Sequence, residues 1–360
     1  MGECQSKCEH IAGVPLIPAV AERLHQLYLA KGSLATTAIE GNTLSEQEAL
    51  QLIRGEIKLP ESRQYLGQEV KNIVDACNDL LHTLATTGKP PALDAERIRQ
   101  LNRLVLDKLE LPDGVEAGEI RSYEVSVGGY QGAPPEDCHY LLERLCNWLG
   151  EPAFNPPPDQ RLAFATIKAI LAHVYLAWIH PFGDGNGRVA RLVEHHILMS
   201  SGFPAPAAHV LSNHYNQTRS QYYRCLGEAR AEDGVVRFLE YAVQGLLDGL
   251  REQLDYIRQQ QRDISWRDYV YDRFRDAKGD ANRRRRNLVL DLSEQVEPTP
   301  IHGISALTPR TAAAYARKTS RTVSRDIAEL ISMGLVVREE GKVRACKEKI
   351  LAFLPFKSQT

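Results

Sequence analysis

The sequence predicts a mainly α-helical fold in more than one part. Three observations predict it. Over most of the first 260 residues, apolar side chains recur at three-to-four spacing, the period of a helix with one buried face. A single segment, 118–132, instead alternates β-branched or aromatic residues with polar ones and closes on glycines. Past residue 262, Pro298, Pro300 and Pro309 punctuate short apolar runs. A chain of 360 residues suits one large or two to three ordinary domains. The expected divisions are an N-terminal helical region (1–110), a central core (111–260) and a C-terminal domain (262–360).

Ala19 to Ala30 reads as a helix with Val20, Leu24 and Leu27 on one side. A short link leads to a second helix, Leu34 to Glu40, stopped by Gly41-Asn42. Ser45 and Glu48 have capping-box spacing for the next helix. Ser62 to Thr83 carries Leu66, Val70, Ile73, Val74, Cys77 and Leu81 at helical spacing, and Asp94 caps a helix running to Leu109. Residues 118–132 form the best hairpin candidate, a flap on a helical body. Helix returns from Asp137 to Leu149. Glu151 to Asp159, with four prolines, is a rigid loop. Gln160 to Ile179 is apolar on nearly every face and reads as the central helix. Arg188 to Ser200 follows, and 216–258 supplies one or two more helices.

Composition fits a well-packed soluble chain, 43% hydrophobic and 25% charged. Thr166, Lys168 and His173 interrupt the apolar run 162–179, which argues for a buried helix and against a membrane span. The N-terminus lacks an apolar leader, so a cytoplasmic protein is expected. The 7 cysteines are scattered, with neither a disulfide framework nor paired zinc spacing. Cys4, Cys8 and His10 offer at most three ligands on a terminal tail. Charge is uneven. Residues 262–360 hold 20 Lys and Arg against 13 Asp and Glu, while the acidic body holds 24 against 33. A basic end of this kind is a modest nucleic-acid signal.

Chemistry concentrates in one run, His180-Pro-Phe-Gly-Asp-Gly-Asn-Gly-Arg-Val-Ala-Arg191. Pro181 biases His180 out of the α region, so the central helix ends there and presents an imidazole at its terminus. Alone, His180 reads as a C-terminal histidine helping to cap its helix, or as a base for an alcohol or phenol. Its neighbours favour the base. Gly185 and Gly187 let an anion approach the backbone, and free N–H groups at the next helix start face it. Arg188 and Arg191 share one helix face and can neutralise a triphosphate. Asp184 is placed to hold Mg2+, and Phe182 anchors the loop.

This run resembles the signature of the Fic family, His-x-Phe-x-(Asp/Glu)-Gly-Asn-Gly-Arg-x-x-Arg, at every defined position. The resemblance extends to Lys168-Ala169, Ala172-His173, Gly118-Glu-Ile-Arg121 and Val127-Gly-Gly129, and covers residues about 20–260. It implies a Fic-type helical core with a β-hairpin flap, holding target segments at Val125 and Val127. It implies transfer of AMP from ATP, with Mg2+, to a Ser, Thr or Tyr hydroxyl of a target protein, or of the chain itself. His180 is then the base and Asp184 the metal ligand. Gly185, Asn186, Gly187 and Arg188 bind the α- and β-phosphates, and Arg191 the γ-phosphate.

Thr36-Thr-Ala-Ile-Glu40-Gly-Asn42 resembles the family's inhibitory segment, (Ser/Thr)-x-x-x-Glu-(Gly/Asn). Locally, Glu40 is a helix-end residue that a surface lysine could pair. As an inhibitor it would pair with Arg191 and remove the charge awaiting the γ-phosphate. In some relatives the same glutamate assists removal of AMP, a second activity implied here.

At the C-terminal end, Thr308-Pro309 starts a helix through Lys318 and Ser320 starts another through Ile331. Val323, Ile327, Leu330 and Ile331 form the buried side of the second, leaving Thr319, Arg321, Thr322 and Arg325 outside. Strands at Leu335–Arg338 and Val343–Cys346 follow. The pattern resembles a small winged helix-turn-helix domain, with Arg321 and Arg325 facing duplex DNA. The same module could instead bind protein or support a homodimer. Two functions therefore compete: a self-inhibited protein adenylyltransferase, and a DNA-binding regulator whose core senses nucleotide. The intact His180 favours the first, since sensing a phosphate needs no base.

Overall fold

Helices α1 (Gly2–Gly13) and α2 (Pro18–Ala38) open the chain in a computed structural model that describes residues 1–127 and 130–351. Both depart from the sequence reading. α1 is no loose tail, since Cys4, Cys8 and Ile11 are buried and Glu3 pairs with Arg251 at 2.9 Å. α2 runs unbroken through Lys31-Gly32-Ser33, where the pattern predicts a link. Gly32 is a contact glycine. A Cβ there would stand 2.2 Å from Nδ1 of His209, so the imidazole lies against a bare Cα. The helix tolerates that glycine at about 1 kcal/mol relative to alanine.

α3 (Glu46–Ile53) begins with the expected capping box: Ser45 Oγ accepts from the Glu48 N–H at 3.2 Å, and the Glu48 carboxylate accepts from the Ser45 N–H at 2.8 Å. α4 (Gln64–Thr87) buries Leu66, Val70, Ile73, Val74, Cys77 and Leu80; the stripe ends on Leu80, leaving Leu81 half-buried. α5 (Ala95–Leu106) starts where Asp94 accepts from the Arg97 N–H at 2.8 Å. The hairpin pairs β1 (Ser126–Val127) with β2 (Tyr130–Gln131), Ser126 opposite Gln131. It is shorter than the alternating pattern suggests, because Ile120 bridges Phe182 and Arg121 binds other loops. Gly128, Gly129 and the side chain of Val127 lie outside the described residues.

α6 (Pro135–Leu149), α7 (Arg161–Ile179) and α8 (Asn186–Ser200) follow. α7 is long and apolar enough to match a membrane span by composition, yet Ala165, Ala169, Ile170, Val174 and Leu176 are buried in a helix packed on α6 and α8. α9 (Ala205–Ala208), α10 (Val210–Gln217) and α11 (Arg219–Glu228) lead to α12 (Gly234–Arg273). α12 passes through residue 262 without a break. The chain divides into two compact units, Met1–Leu254 and Asp255–Thr360, and the division falls inside that helix.

In the second unit, α13 (Asp280–Ser293), β3 (Thr299–Pro300), α14 (Pro309–Tyr315), α15 (Ser320–Ser332), β4 (Val336–Glu339) and β5 (Lys342–Ala345) surround a core containing Trp266, Leu288, Ile304, Ile327, Leu330 and Val336. The antiparallel sheet has order β3-β5-β4. Thr308 caps α14 in a box with Thr311. Ile331, assigned by its spacing to the buried side of α15, is 38% exposed. The middle of the basic run turns inward: Arg284 at 2.8 Å and Arg285 at 2.9 Å both pair with the fully buried Asp326, which also accepts from the Tyr315 hydroxyl at 3.1 Å.

Candidate active site

α7 ends at His180, whose backbone is left-handed, φ 49° and ψ 58°. The bias ahead of Pro181 favours extended backbone, so this conformation is strained for a residue with a Cβ. Arg121 holds it. Its Nε donates to the His180 carbonyl at 2.8 Å, and its other nitrogens donate to the carbonyls of Tyr123 and Ala133. The Arg121 N–H donates to the Pro181 carbonyl at 3.0 Å, and the Ala133 N–H to that of Ile179 at 3.3 Å. The base of the hairpin is thereby stitched to the loop, and the Gly132 N–H donates to Val125 O at 3.0 Å.

The His180 imidazole is half-buried, with Nδ1 3.3 Å from the Ala177 carbonyl. A carbonyl only accepts, so Nδ1 carries the proton and Nε2 keeps the lone pair. Burial, joined by the Arg121 charge, outweighs that hydrogen bond and lowers the pKa below 6.5. The ring is therefore neutral at pH 7, the state a general base needs.

Phe182 is 1% exposed and anchors the loop. The Asn186 side chain closes it, donating to the Phe182 carbonyl at 2.7 Å and accepting from the Phe182 N–H at 2.9 Å. With that amide engaged, Asn186 has its backbone N–H to offer a ligand. Gly185 adopts φ 79° at the start of α8, a conformation that suits glycine. Asp184 Oδ1 accepts from the Gly185 N–H and from Arg188 at 3.0 Å, while Asn102 donates to the Asp184 carbonyl at 2.9 Å.

Arg188 and Arg191 sit on the first turns of α8 with side chains 6% and 1% exposed. Arg188 lies between Asp184 and Glu69, the latter at 3.5 Å. Arg191 donates to Glu40 at 2.6 Å and to the Thr36 carbonyl at 2.9 Å, and Tyr222 lines the same cavity. Three guanidinium nitrogens, Nε and Nη1 of Arg188 and Nε of Arg191, are buried without a hydrogen-bond partner among the described residues. Such unmatched donors cost about 1–3 kcal/mol each. They fit an anion richer in oxygens than one carboxylate.

Glu40 occupies that anion position. A Cβ on Gly187 would meet its Oε1 at 2.2 Å, so the carboxylate rests on the opening turn of α8, where the helix dipole favours negative charge. Burial alone would raise the carboxyl's pKa; the Arg191 charge and hydrogen bond, with Arg188 and Arg219, outweigh it and hold the pKa below the usual range. A cavity of about 160 Å³ opens beside the pair, lined by Glu40, His180, Gly187, Arg191, Tyr222 and Tyr223 among others.

The structure thus brings together His180, Asp184, Gly185 to Arg188, Arg191 and Glu40, with the hairpin at their edge. Arg321 and Arg325 are exposed on α15 of the unit Asp255–Thr360. Sequence reasoning missed Asn102, Glu69 and Tyr222, whose neighbours show no local pattern, and the linchpin role of Arg121. Asn42 appeared there as a helix stop and as the end of the inhibitory segment, with no contact of its own. It donates to the Leu66 carbonyl at 2.9 Å and to Glu69 at 2.8 Å, tying the end of α2 to α4.

Residues 92–198 match the Fic/DOC family. Protein adenylyltransferase fic-1 of Caenorhabditis briggsae is 34% identical over 202 residues, 55% of this chain and 36% of that one. Its Caenorhabditis elegans counterpart is 31% identical over 229 residues, 62% and 42% respectively. The chain therefore spans about two fifths of the length of these relatives. Among solved structures, a Fic family protein from Desulfovibrio desulfuricans G20 shares the fold over 95% of this chain and 94% of its own, with a TM-score of 0.57 at 18% identity. Fic-1 from C. elegans superposes with a TM-score of 0.57 at 25% identity, covering 71% of each chain. The loop from His180 to Arg191 lies inside the segment that matches the Fic/DOC family, and over somewhat more than half of its length the chain is similar to known protein adenylyltransferases.

Proposed function

We propose that this protein moves AMP from ATP to a Ser, Thr or Tyr hydroxyl of a target protein, and that Glu40 restrains it. The carrying observation is the seat of Glu40 against Arg191 and Gly187, beside buried guanidinium nitrogens that lack hydrogen-bond partners among the described residues. On this reading the triphosphate lies along the start of α8. The N–H groups of Gly185 to Gly187 and Arg188 hold its α- and β-phosphates, and Arg191 holds the γ-phosphate in place of Glu40. Asp184, once released from Arg188, would hold Mg2+, which supplies charge neutralisation of the phosphate oxygens.

His180 Nε2 takes the proton of the target hydroxyl as that oxygen attacks the α-phosphorus. The P–O bond to pyrophosphate breaks, leaving AMP esterified to the target. The hairpin supports an extended target segment through backbone hydrogen bonds. Incubation with α-labelled ATP, Mg2+ and cell lysate tests the assignment by intact mass and label transfer. No labelled protein, even with Glu40 replaced, would overturn it.

A second reading concerns the unit Asp255–Thr360 and does not exclude the first. The α14–α15 pair followed by the β4–β5 hairpin supports a winged helix-turn-helix assignment. Arg321 and Arg325 are exposed and enter no ion pair among the described residues, which suits contact with duplex DNA. Anisotropy titration of labelled duplex with the full chain tests this.

A further inference from the structure

Three ligating side chains meet in the core of the unit Met1–Leu254, outside the loop 180–191. Cys77 comes from α4, His195 from α8 and His209 from the junction of α9 and α10. Their ligating atoms all lie within 4.8 Å of one another, and the residues are 2%, 6% and 6% exposed. His195 Nδ1 lies 3.4 Å from the Ala208 carbonyl and so carries the proton. Its Nε2 keeps a lone pair, yet is buried with no hydrogen-bond partner among the described residues. Metal-ligating histidines are oriented in this way, by a backbone carbonyl on the far nitrogen. His209 is admitted by Gly32, the glycine midway along α2, and stacks on His195 with ring centroids 4.5 Å apart. An apolar core would need neither the glycine nor two imidazoles beside a thiol.

We propose that Cys77, His195 and His209 form a binding site for one thiophilic d10 metal ion, copper(I) or zinc(II). One thiolate and two neutral imidazoles are the soft and borderline donors such ions take. Burial keeps both imidazoles neutral, His195 with a pKa of about 4. Metal binding would displace the Cys77 proton, releasing one H+ per ion and forming one S–metal bond. The charge count favours copper(I). A thiolate with Cu+ is neutral, whereas Zn2+ leaves a buried net charge and asks for a fourth ligand. Metal–ligand bonds of about 2.0–2.3 Å place donor atoms roughly 3.3–3.8 Å apart, so the widest pair, within 4.8 Å now, closes by at most about 1–1.5 Å.

The test uses the full chain, stripped with chelator under reductant and kept anaerobic. Copper(I) is titrated against bicinchoninate, and cobalt(II), as a probe for zinc, is followed by its thiolate charge-transfer band. One equivalent bound by the parent is expected, lost by at least tenfold in affinity in Cys77→Ser and in His195→Gln. The double variant Cys4→Ser/Cys8→Ser should bind as the parent does. The stronger arm identifies the ion. Failure to take up either ion, or equal uptake by Cys77→Ser, overturns the proposal. Circular dichroism shows whether His195→Gln has folded; if it has not, the single-atom change Cys77→Ser decides alone.

Discussion

Glu40 and Arg191, 151 residues apart in the chain, share a 2.6 Å hydrogen bond over the first turn of α8. The carboxylate takes the one guanidinium nitrogen that also binds the Thr36 carbonyl, and leaves Arg191 Nε without a hydrogen-bond partner among the described residues. A phosphate brought to this arginine must displace Glu40 or accept another pose. On the proposed reading, inhibition and nucleotide binding are alternative uses of this single side chain.

Glu40→Gly should raise AMP transfer. A charge-assisted hydrogen bond contributes about 1.5–3 kcal/mol, which corresponds to a gain of roughly 10- to 150-fold. The initial rate of labelling from α-labelled ATP measures it; a rate unchanged from the parent removes Glu40 from the inhibitory role.

His180→Ala should lower transfer by about 10²–10⁴-fold, the usual worth of a positioned base. ATP affinity by calorimetry should stay near the parent's, because the imidazole is no phosphate ligand in the proposed pose. Equal labelling by the variant would show that another group takes the proton.

The pH profile follows from the same imidazole. His180 acts when neutral, and its pKa lies below 6.5 because burial disfavours its charged form. In the Glu40→Gly background the rate should stay level from pH 8 to pH 7 and fall only as the pH drops through that lowered value. An acid limb centred above 6.5 would contradict the burial argument.

Val125→Pro or Val127→Pro should impair use of the target more than binding of ATP. Either change removes a backbone donor at the hairpin, and a loss of about tenfold in kcat/KM for the target is expected if one or two strand-type hydrogen bonds disappear. A matching loss of ATP affinity would make the hairpin a structural element.

Arg321→Glu with Arg325→Glu should abolish binding of mixed duplex by the full chain while leaving AMP transfer unchanged. Parent binding should weaken steeply with salt, as phosphate contacts require. A parent that fails to bind even at low salt assigns the module to protein contacts.

Much of the site is readable because it is contiguous: His180 to Arg191 lie within one turn and one helix start, and the 36–42 spacing marks Glu40. What joins them is not local. Asn102 reaches the Asp184 carbonyl across 82 residues, and nothing periodic marks that contact. Capping boxes at Ser45 and Thr308 could be located from neighbours alone, since their partners lie three residues away. Gly32 misled for the opposite reason: its partner, His209, is distant, so a contact glycine looks like a chain break. The continuity of α12 did leave a signal. Residues 250–273 contain neither glycine nor proline, which weakens any break near 262.

Asp326 has a consequence for how charge on this protein is measured. An isoelectric reading counts Arg284 and Arg285 as cationic surface, whereas both are folded onto that one buried carboxylate. Native protein therefore shows a polyanion a weaker potential than its composition suggests, and unfolding restores those cations. Capture on heparin should be stronger for heat-damaged chains than for intact ones, so retention on such a resin reports lost structure before it reports recognition of nucleic acid.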